Sequence, residues 1–254
     1  MDIRKTFNED AANYDRFRPR YHPRLFSDIA AFCGLDHSKQ ALEIGLGTGQ
    51  ATLPFLKTGC NITAVELGED LAEFSRQKFS EYENLTIINS SFEDFETGTA
   101  FDLIYSAMAF HWIKDEIGYP KAHGLLKKGG TLALFWNHPS AASEDDQMHV
   151  EIQKVYAKYR PSARPKPHGE EDCRAIAEKI ARFGFADVEF RLYHGERNFS
   201  AQDYIGLLNT YSDHIALPPE IKGVFEKEIA EAINNLGGTM TVFDTIDLYL
   251  AKKP

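Results

Sequence analysis

The chain has 254 residues, 43% of them hydrophobic, and its 28 basic and 38 acidic side chains give a net charge of -10. Such a length suits one large domain or a core with a sizeable insertion, and apolar residues mixed with both charge signs exclude a disordered chain. The acidic balance argues against a nucleic-acid partner, which needs a basic face, and the absence of any apolar run as long as a bilayer span argues against a membrane protein.

The opening MDIRKTFNED lacks the apolar core of a signal peptide, so a cytoplasmic protein is expected. Residues Ile3 to Arg20 alternate charges with aromatics, and PRLFSDIAAFCG then reads as a helix with Leu25, Ile29 and Phe32 on one face and a stop at Gly34. ALEIGLGTG, Ala41 to Gly49, is a buried strand running into a glycine turn. Gln50 to Lys57 follows as a helix, and NITAVEL is a second strand closed by Glu66. Glu69 to Tyr82 has helical spacing, and LTIINSS is a third β-rich run. FDLIYSAM is a fourth strand, Asp115 to Lys127 a helix, and TLALFWN a fifth strand after Gly129 and Gly130. This alternation predicts an α/β fold, a parallel sheet with helices on both faces.

Beyond Asn137 the rhythm changes. Ser143 to Arg160 reads as a helix, followed by the proline-rich PSARPKPHGEED, a helix from Glu171 to Phe183, the strand FADVEFRLY, a long helical stretch from Ala201 to Leu236 and the closing β-rich run TVFDTIDLYLAKK. The expected organisation is a single domain. It comprises an amino-terminal helical lid (1–35), a cofactor-binding core (36–139), helical cap excursions (140–170 and 200–238) and two segments that complete the sheet (171–199 and 239–254).

The glycine turn carries the chemistry. Glycines let the backbone pass close to a ligand, and a carboxylate at the tip of the next strand, Glu66, can accept both hydroxyls of a ribose. A dinucleotide fingerprint would need glycine at position 50, which is Gln50; the third glycine is Gly49. Glu43 lies inside the apolar strand two residues before Gly45, where a carboxylate needs a partner. A cationic amino group, met directly or through water, would be one. The pattern is therefore ExGxGxG.

This pattern resembles motif I of the class I S-adenosylmethionine (SAM) dependent methyltransferases, and the order of elements resembles their Rossmann-like sheet, 3-2-1-4-5-7-6. The resemblance is strongest from about Leu42 to Trp136. It implies SAM as cofactor, held by Glu43, Gly45, Gly47, Thr48, Gly49, Glu66 and Leu67, with Ser91, Phe92 and Glu93 or Asp94 around the adenine. SAMAFHW, with Ser106, Ala107 and His111, would border the transferred methyl group. The aromatic and HW there narrow the resemblance to the type 11 branch, with trans-aconitate-like small-molecule methyltransferases among its neighbours. In ANYDRFRPRYHP the resemblance assigns Tyr14 to closing the cofactor pocket and Arg18, with Arg20 and Arg24 as alternatives, to the methionyl carboxylate.

His111 is the candidate general base, because its ordinary pKa lies near neutrality, although methyl transfer to a carboxylate needs no base. Trp112, Asn137, His138 and Tyr211 are candidates for the acceptor pocket. The basic stretch Arg160, Arg164, Lys166, His168 suggests an anionic small molecule. Cys33, Cys60 and Cys173 show no CxxC pairing, and the nine histidines show no HExxH or similar pair, so reduced thiols and no metal are expected. The expected function is methyl transfer from SAM to oxygen or nitrogen of a small acceptor. The alternatives are a non-catalytic SAM-binding protein and, disfavoured by Gln50, a nicotinamide-dependent oxidoreductase.

Overall fold

The computed structural model describes residues 11–140, 146–160 and 168–254. Arg164 and Lys166 of the predicted basic stretch lie outside the described residues. The strands are β1 (Gln40–Ile44), β2 (Asn61–Glu66), β3 (Leu85–Asn89), β4 (Phe101–Ala107), β5 (Leu126–Ser140), β6 (Ala186–Ser200) and β7 (Thr239–Lys252). They form one sheet in the order β3-β2-β1-β4-β5-β7-β6, parallel through β5, with β7 antiparallel to both neighbours. The helices are α1 (Ala11–Phe17), α2 (Pro23–Cys33), α3 (Thr52–Leu56), α4 (Glu69–Lys78), α5 (Asp115–Leu125), α6 (Gln147–Tyr159), α7 (Glu170–Arg182), α8 (Ala201–Leu208), α9 (Ser212–Ile215) and α10 (Pro219–Asn235).

Central strands covered on both faces read as continuous apolar runs, and alternate side chains go to opposite layers. Ala41, Leu103, Tyr105, Ala133 and Phe135 pack beneath α2 and α3 through Leu25, Ile29, Phe55 and Leu56. Leu42, Ile44, Ile104, Leu132 and Leu134 face the other way, toward Tyr119 and Ala122 of α5 and Cys173 and Ile180 of α7. The stop predicted at Gly34 is a left-handed cap (φ +61°) whose N–H bonds the Ala30 carbonyl.

A third core lies off the sheet, where α6, α8 and α10 pack through Met148, Ile152, Val155, Ile205, Leu208, Phe225, Ile229 and Ile233. The predicted single stretch from Ala201 to Leu236 is three helices. Pro218 and Pro219 break it, because the ring cannot continue a helix and Pro219 instead starts α10. β5 and β6 also run further than their apolar segments, to Ser140 and Ser200, because both continue pairing with β7. β6 is an edge strand, so a polar sequence such as HGERNFS can stay in the ladder without burying its side chains.

Candidate active site

The carboxyl ends of β1, β2 and β4 open into a cavity of about 280 Å³ closed on its far side by Tyr14, Arg18 and residues 211–213 of the cap. Its floor is the turn after β1. Gly45 has φ +76°, and a Cβ there would lie 2.2 Å from Ala109 Cβ; Gly49 has φ +80°, and a Cβ would lie 2.2 Å from the Phe79 ring. Any side chain at either position would collide with the packed wall as well as strain the backbone.

Glu66 ends β2 at the rim of this turn. Its Oε2 accepts from Gly47 N (2.7 Å) and its Oε1 from Gly68 N (2.8 Å), which fixes the carboxylate in one plane. Burial raises its pKa, against the three backbone N–H groups of Gly68, Gly47 and Leu67 that favour the ionised form. Two N–H donors occupy only part of a carboxylate's accepting capacity, so both oxygens can still accept from a diol.

Glu43 is fully buried in β1. The partner that the sequence demanded is supplied within the protein: Oε2 accepts from Thr52 Oγ1 (2.7 Å) and from the Tyr105 hydroxyl (2.9 Å), while Oε1 has no partner among the described residues. Burial pushes its pKa up to about 8, with Glu66 adding to the rise and the two hydroxyls opposing it.

Leu67, Ser91, Phe92, Glu93, Ala107, His111, Trp112 and Tyr211 also line the cavity, as do Met108 and Asp213, which sequence reasoning missed. Met108 takes φ +58°, a left-handed strain in a non-glycine residue that no local sequence signal announces. Arg18 lies between the rings of Tyr14 (4.8 Å) and Tyr211 (4.9 Å) and donates to the Thr210 carbonyl (2.6 Å). The amino-terminal segment is thereby tied to the cap.

Besides the buried Glu43, five predicted site residues do not line the cavity. Thr48 is buried and accepts from Gln50 Nε2 (2.7 Å), Gly49 faces Phe79, and the buried Ser106 hydroxyl donates to the Ile44 carbonyl (2.8 Å). Asn137 and His138, expected at the tip of β5, are ladder residues because the strand runs on to Ser140, opposite Ile246 and Thr245. Asn137 Nδ2 donates to Asp244 (2.8 Å), and His138 lies against Asp247. Arg160 is not a free basic group, since it pairs with Asp213 (2.6 Å) and donates to His214 Nε2 (2.7 Å).

The general-base expectation for His111 also needs correction. Its Nδ1 accepts from the Trp136 indole N–H (2.9 Å), so the neutral ring carries its proton on Nε2 and has no free lone pair. Burial, then the neighbouring His138, lowers its pKa further from the range of a useful base.

Three acids (Glu66, Glu93, Asp213) and one arginine line the cavity, a balance that suits a nucleoside with a cationic centre and opposes a pyrophosphate. A family model described as a methyltransferase domain matches residues 42–134. An uncharacterized methyltransferase of Schizosaccharomyces pombe is 25% identical over 92% of this chain and 89% of its own length. The matched stretch is a methyltransferase domain, and the sheet order β3-β2-β1-β4-β5-β7-β6 is that of the class I SAM-dependent methyltransferase fold. In Ilyobacter polytropus, a malonyl-[acyl-carrier protein] O-methyltransferase is 26% identical over 52% of this chain and 50% of its own. A SAM-dependent methyltransferase from Geobacter sulfurreducens, solved with S-adenosylhomocysteine, superposes with a TM-score of 0.56 at 11% identity, covering 95% of this chain and 96% of that one. The residues present fit SAM: the glycine floor leaves room for a ligand, Glu66 presents two carboxylate oxygens at the end of β2, and Glu43 keeps a buried oxygen without a partner among the described residues.

Proposed function

We propose that this methyltransferase acts on a small molecule whose accepting atom is already nucleophilic at neutral pH, a carboxylate oxygen being the best fit. The supporting observation is His111 Nδ1 accepting the Trp136 indole N–H, which leaves the cavity without a histidine base. Asp213 is no substitute: although burial opposes it, Arg160 and His214 hold its pKa below the ordinary carboxylate value. A carboxylate needs no proton removed before it attacks, whereas an alcohol or ammonium acceptor does.

Bound SAM would supply a sulfonium-activated methyl group. On this reading Glu66 accepts the ribose hydroxyls, Phe92 and Leu67 cover the adenine, and Glu93 accepts from its amino group. Glu43 and the glycine floor lie beside the methionine part. Arg18, oriented by the two tyrosine faces, meets the methionyl carboxylate with a charge-assisted pair. His111 presents its Nε2–H to the acceptor, and Trp112 and Tyr211 form the pocket walls. Alignment of nucleophile and methyl inside a space shut off by the cap supplies most of the rate. The small cavity, roofed by residues 211–213, favours a metabolite over a macromolecule. The Ilyobacter relative, by name an O-methyltransferase, adds support for oxygen.

Methyl-labelled SAM incubated with pooled small carboxylates, amines and alcohols, with Glu66→Ala as control, tests the reading. Label should enter the carboxylate pool as base-labile ester and vanish with Glu66→Ala. Label in amines alone, or none despite SAM binding, refutes it, the second result pointing to a non-catalytic SAM-binding protein.

A further inference from the structure

Three ligand-capable groups from separate chain segments converge behind the cofactor cavity. Asp247, in the middle of β7, is fully buried, and its carboxylate accepts from Trp136 N (3.1 Å) and the Tyr249 hydroxyl (2.8 Å). His138 of β5 brings Nε2 to 3.1 Å from Oδ1, and His168, just ahead of α7, brings Nε2 to 2.8 Å from Oδ2. The two imidazoles stack face to face, centroids 3.8 Å apart and planes 9° from parallel, so both rings offer the same edge to one carboxylate. One ligand atom from each of the three residues lies within 4.8 Å of the other two.

Hydrogen bonding accounts for only part of this arrangement. His138 Nε2 is cut off from solvent and, in spite of its 3.1 Å approach to Asp247, has no partner in hydrogen-bonding geometry. Asp247 has no lysine or arginine beside it among the described residues; its ion-pair contacts there are the two histidines. A buried carboxylate without a fixed positive charge is costly, and two stacked imidazolium rings would repel each other. A divalent cation answers both problems, because it neutralises the carboxylate and takes the imidazole lone pairs.

We propose that His138, His168 and Asp247 form a binding site for a divalent transition-metal ion of the zinc class. Two imidazole nitrogens and one carboxylate oxygen suit zinc and its neighbours, whereas magnesium and calcium take all-oxygen sets. The buried Cys173 thiol, 3.5 Å from His168 Nε2, puts a soft sulfur next to the site and strengthens that selectivity. Metal–ligand distances of about 2.0–2.2 Å require the stacked rings to splay slightly around the ion. Three protein ligands leave a coordination position open, and His138, its side chain 33% exposed, stands between the buried ligand atoms and solvent. None of the three residues lines the cofactor cavity, so the site is separate from SAM binding. Trp136 joins the two, its backbone on Asp247 and its indole on His111.

The test is titration of the chelator-treated full chain with Zn²⁺ alone, against a chromophoric competitor and by calorimetry, with Mg²⁺ in parallel. One equivalent of Zn²⁺ should bind, Mg²⁺ should not, and His168→Ala or Asp247→Asn should weaken binding about 100-fold or more, at least the loss typical of an outer-shell change. His149→Ala, on α6, should bind as the parent does. Retained S-adenosylhomocysteine affinity shows that each variant is folded. The Co²⁺ form of the parent chain gives a readout that needs no variant, the intense visible absorption of a four- or five-coordinate ion. No stoichiometric Zn²⁺ binding, an octahedral Co²⁺ spectrum, or equal Zn²⁺ affinity in folded His168→Ala and parent would overturn the proposal.

Discussion

Replacing Glu43 by glutamine should make the protein more stable at alkaline pH and change how stability depends on pH. The native carboxyl, buried beneath Thr52 and Tyr105, has its pKa raised to about 8 from an ordinary 4.5. Between those values the folded chain holds a proton that the unfolded chain has released, so folding stability declines as pH rises through this window and levels off above about 8. Each pKa unit corresponds to about 1.4 kcal/mol, so the contribution lost between pH 5 and pH 8 is about 4 kcal/mol. Glutamine has nearly the same shape and titrates nowhere in the range. It can still meet the two hydroxyls, which rotate to donate or accept. Urea unfolding of parent and Glu43→Gln at pH 5, 6, 7 and 8 should therefore show a gap that widens by about 1 kcal/mol per pH unit in favour of glutamine. Parallel stability curves would mean that Glu43 is ionised in the folded protein, and the argument from its burial would fail. The same variant should bind SAM about tenfold more weakly if the methionine amino group draws on the carboxylate, since a hydrogen bond to a charged group contributes about 1.5–3 kcal/mol.

Glu66→Ala should weaken S-adenosylhomocysteine binding about 100-fold by calorimetry, the loss of two charge-assisted hydrogen bonds to a diol, while leaving the fold intact; unchanged affinity would remove Glu66 from the site. His111→Gln, which keeps an N–H donor, should lower kcat less than about tenfold, whereas loss of a general base costs about 100- to 10,000-fold. A larger fall in His111→Gln would restore the base role. His214, buried between Tyr156, Arg160 and α10, has its pKa lowered to about 4 by burial, with Arg160 and Lys222 adding to the fall and Asp213 opposing it. Its neutral form therefore contributes stability that is complete above pH 6.5 and drains away as pH falls toward 4, at most about 3 kcal/mol. Hydrogen exchange of α6 and α9 should accelerate across that window in the parent and lose most of this pH dependence in His214→Gln.

The parallel half of the sheet was legible because each of its strands is defined locally, by an apolar run, a turn and a following helix. Glu66 and the glycine turn belong to that half and follow one another within one βαβ unit, so their meeting at 2.7 Å was written into consecutive sequence. The ends of β5 and β6 were not legible, because their extension depends on β7, about a hundred residues beyond the end of β5. That is why Asn137 and His138 were assigned to the wrong place. The three helices of the cap were read as one, since the interruption at residues 209–211 has no glycine or proline to mark it and only Pro218 and Pro219 punctuate the stretch.

Asp247 obeys the same physical rule as Glu43. An acid inside an apolar strand must have a partner, and Asp247 in TIDLYL is the same anomaly as Glu43 at the other end of the chain. The partners of Glu43 are hydroxyls from Thr52 and Tyr105. Those of Asp247 include two histidines far away in sequence, which no spacing rule connects. Hydroxyls can satisfy a carboxyl that is held neutral, but two stacked imidazoles on a carboxylate call for a shared cation. The same physical demand thus leads to a carboxyl met by hydroxyls in β1 and to the proposed metal site in β7, and the donor set, not the burial, separates the two.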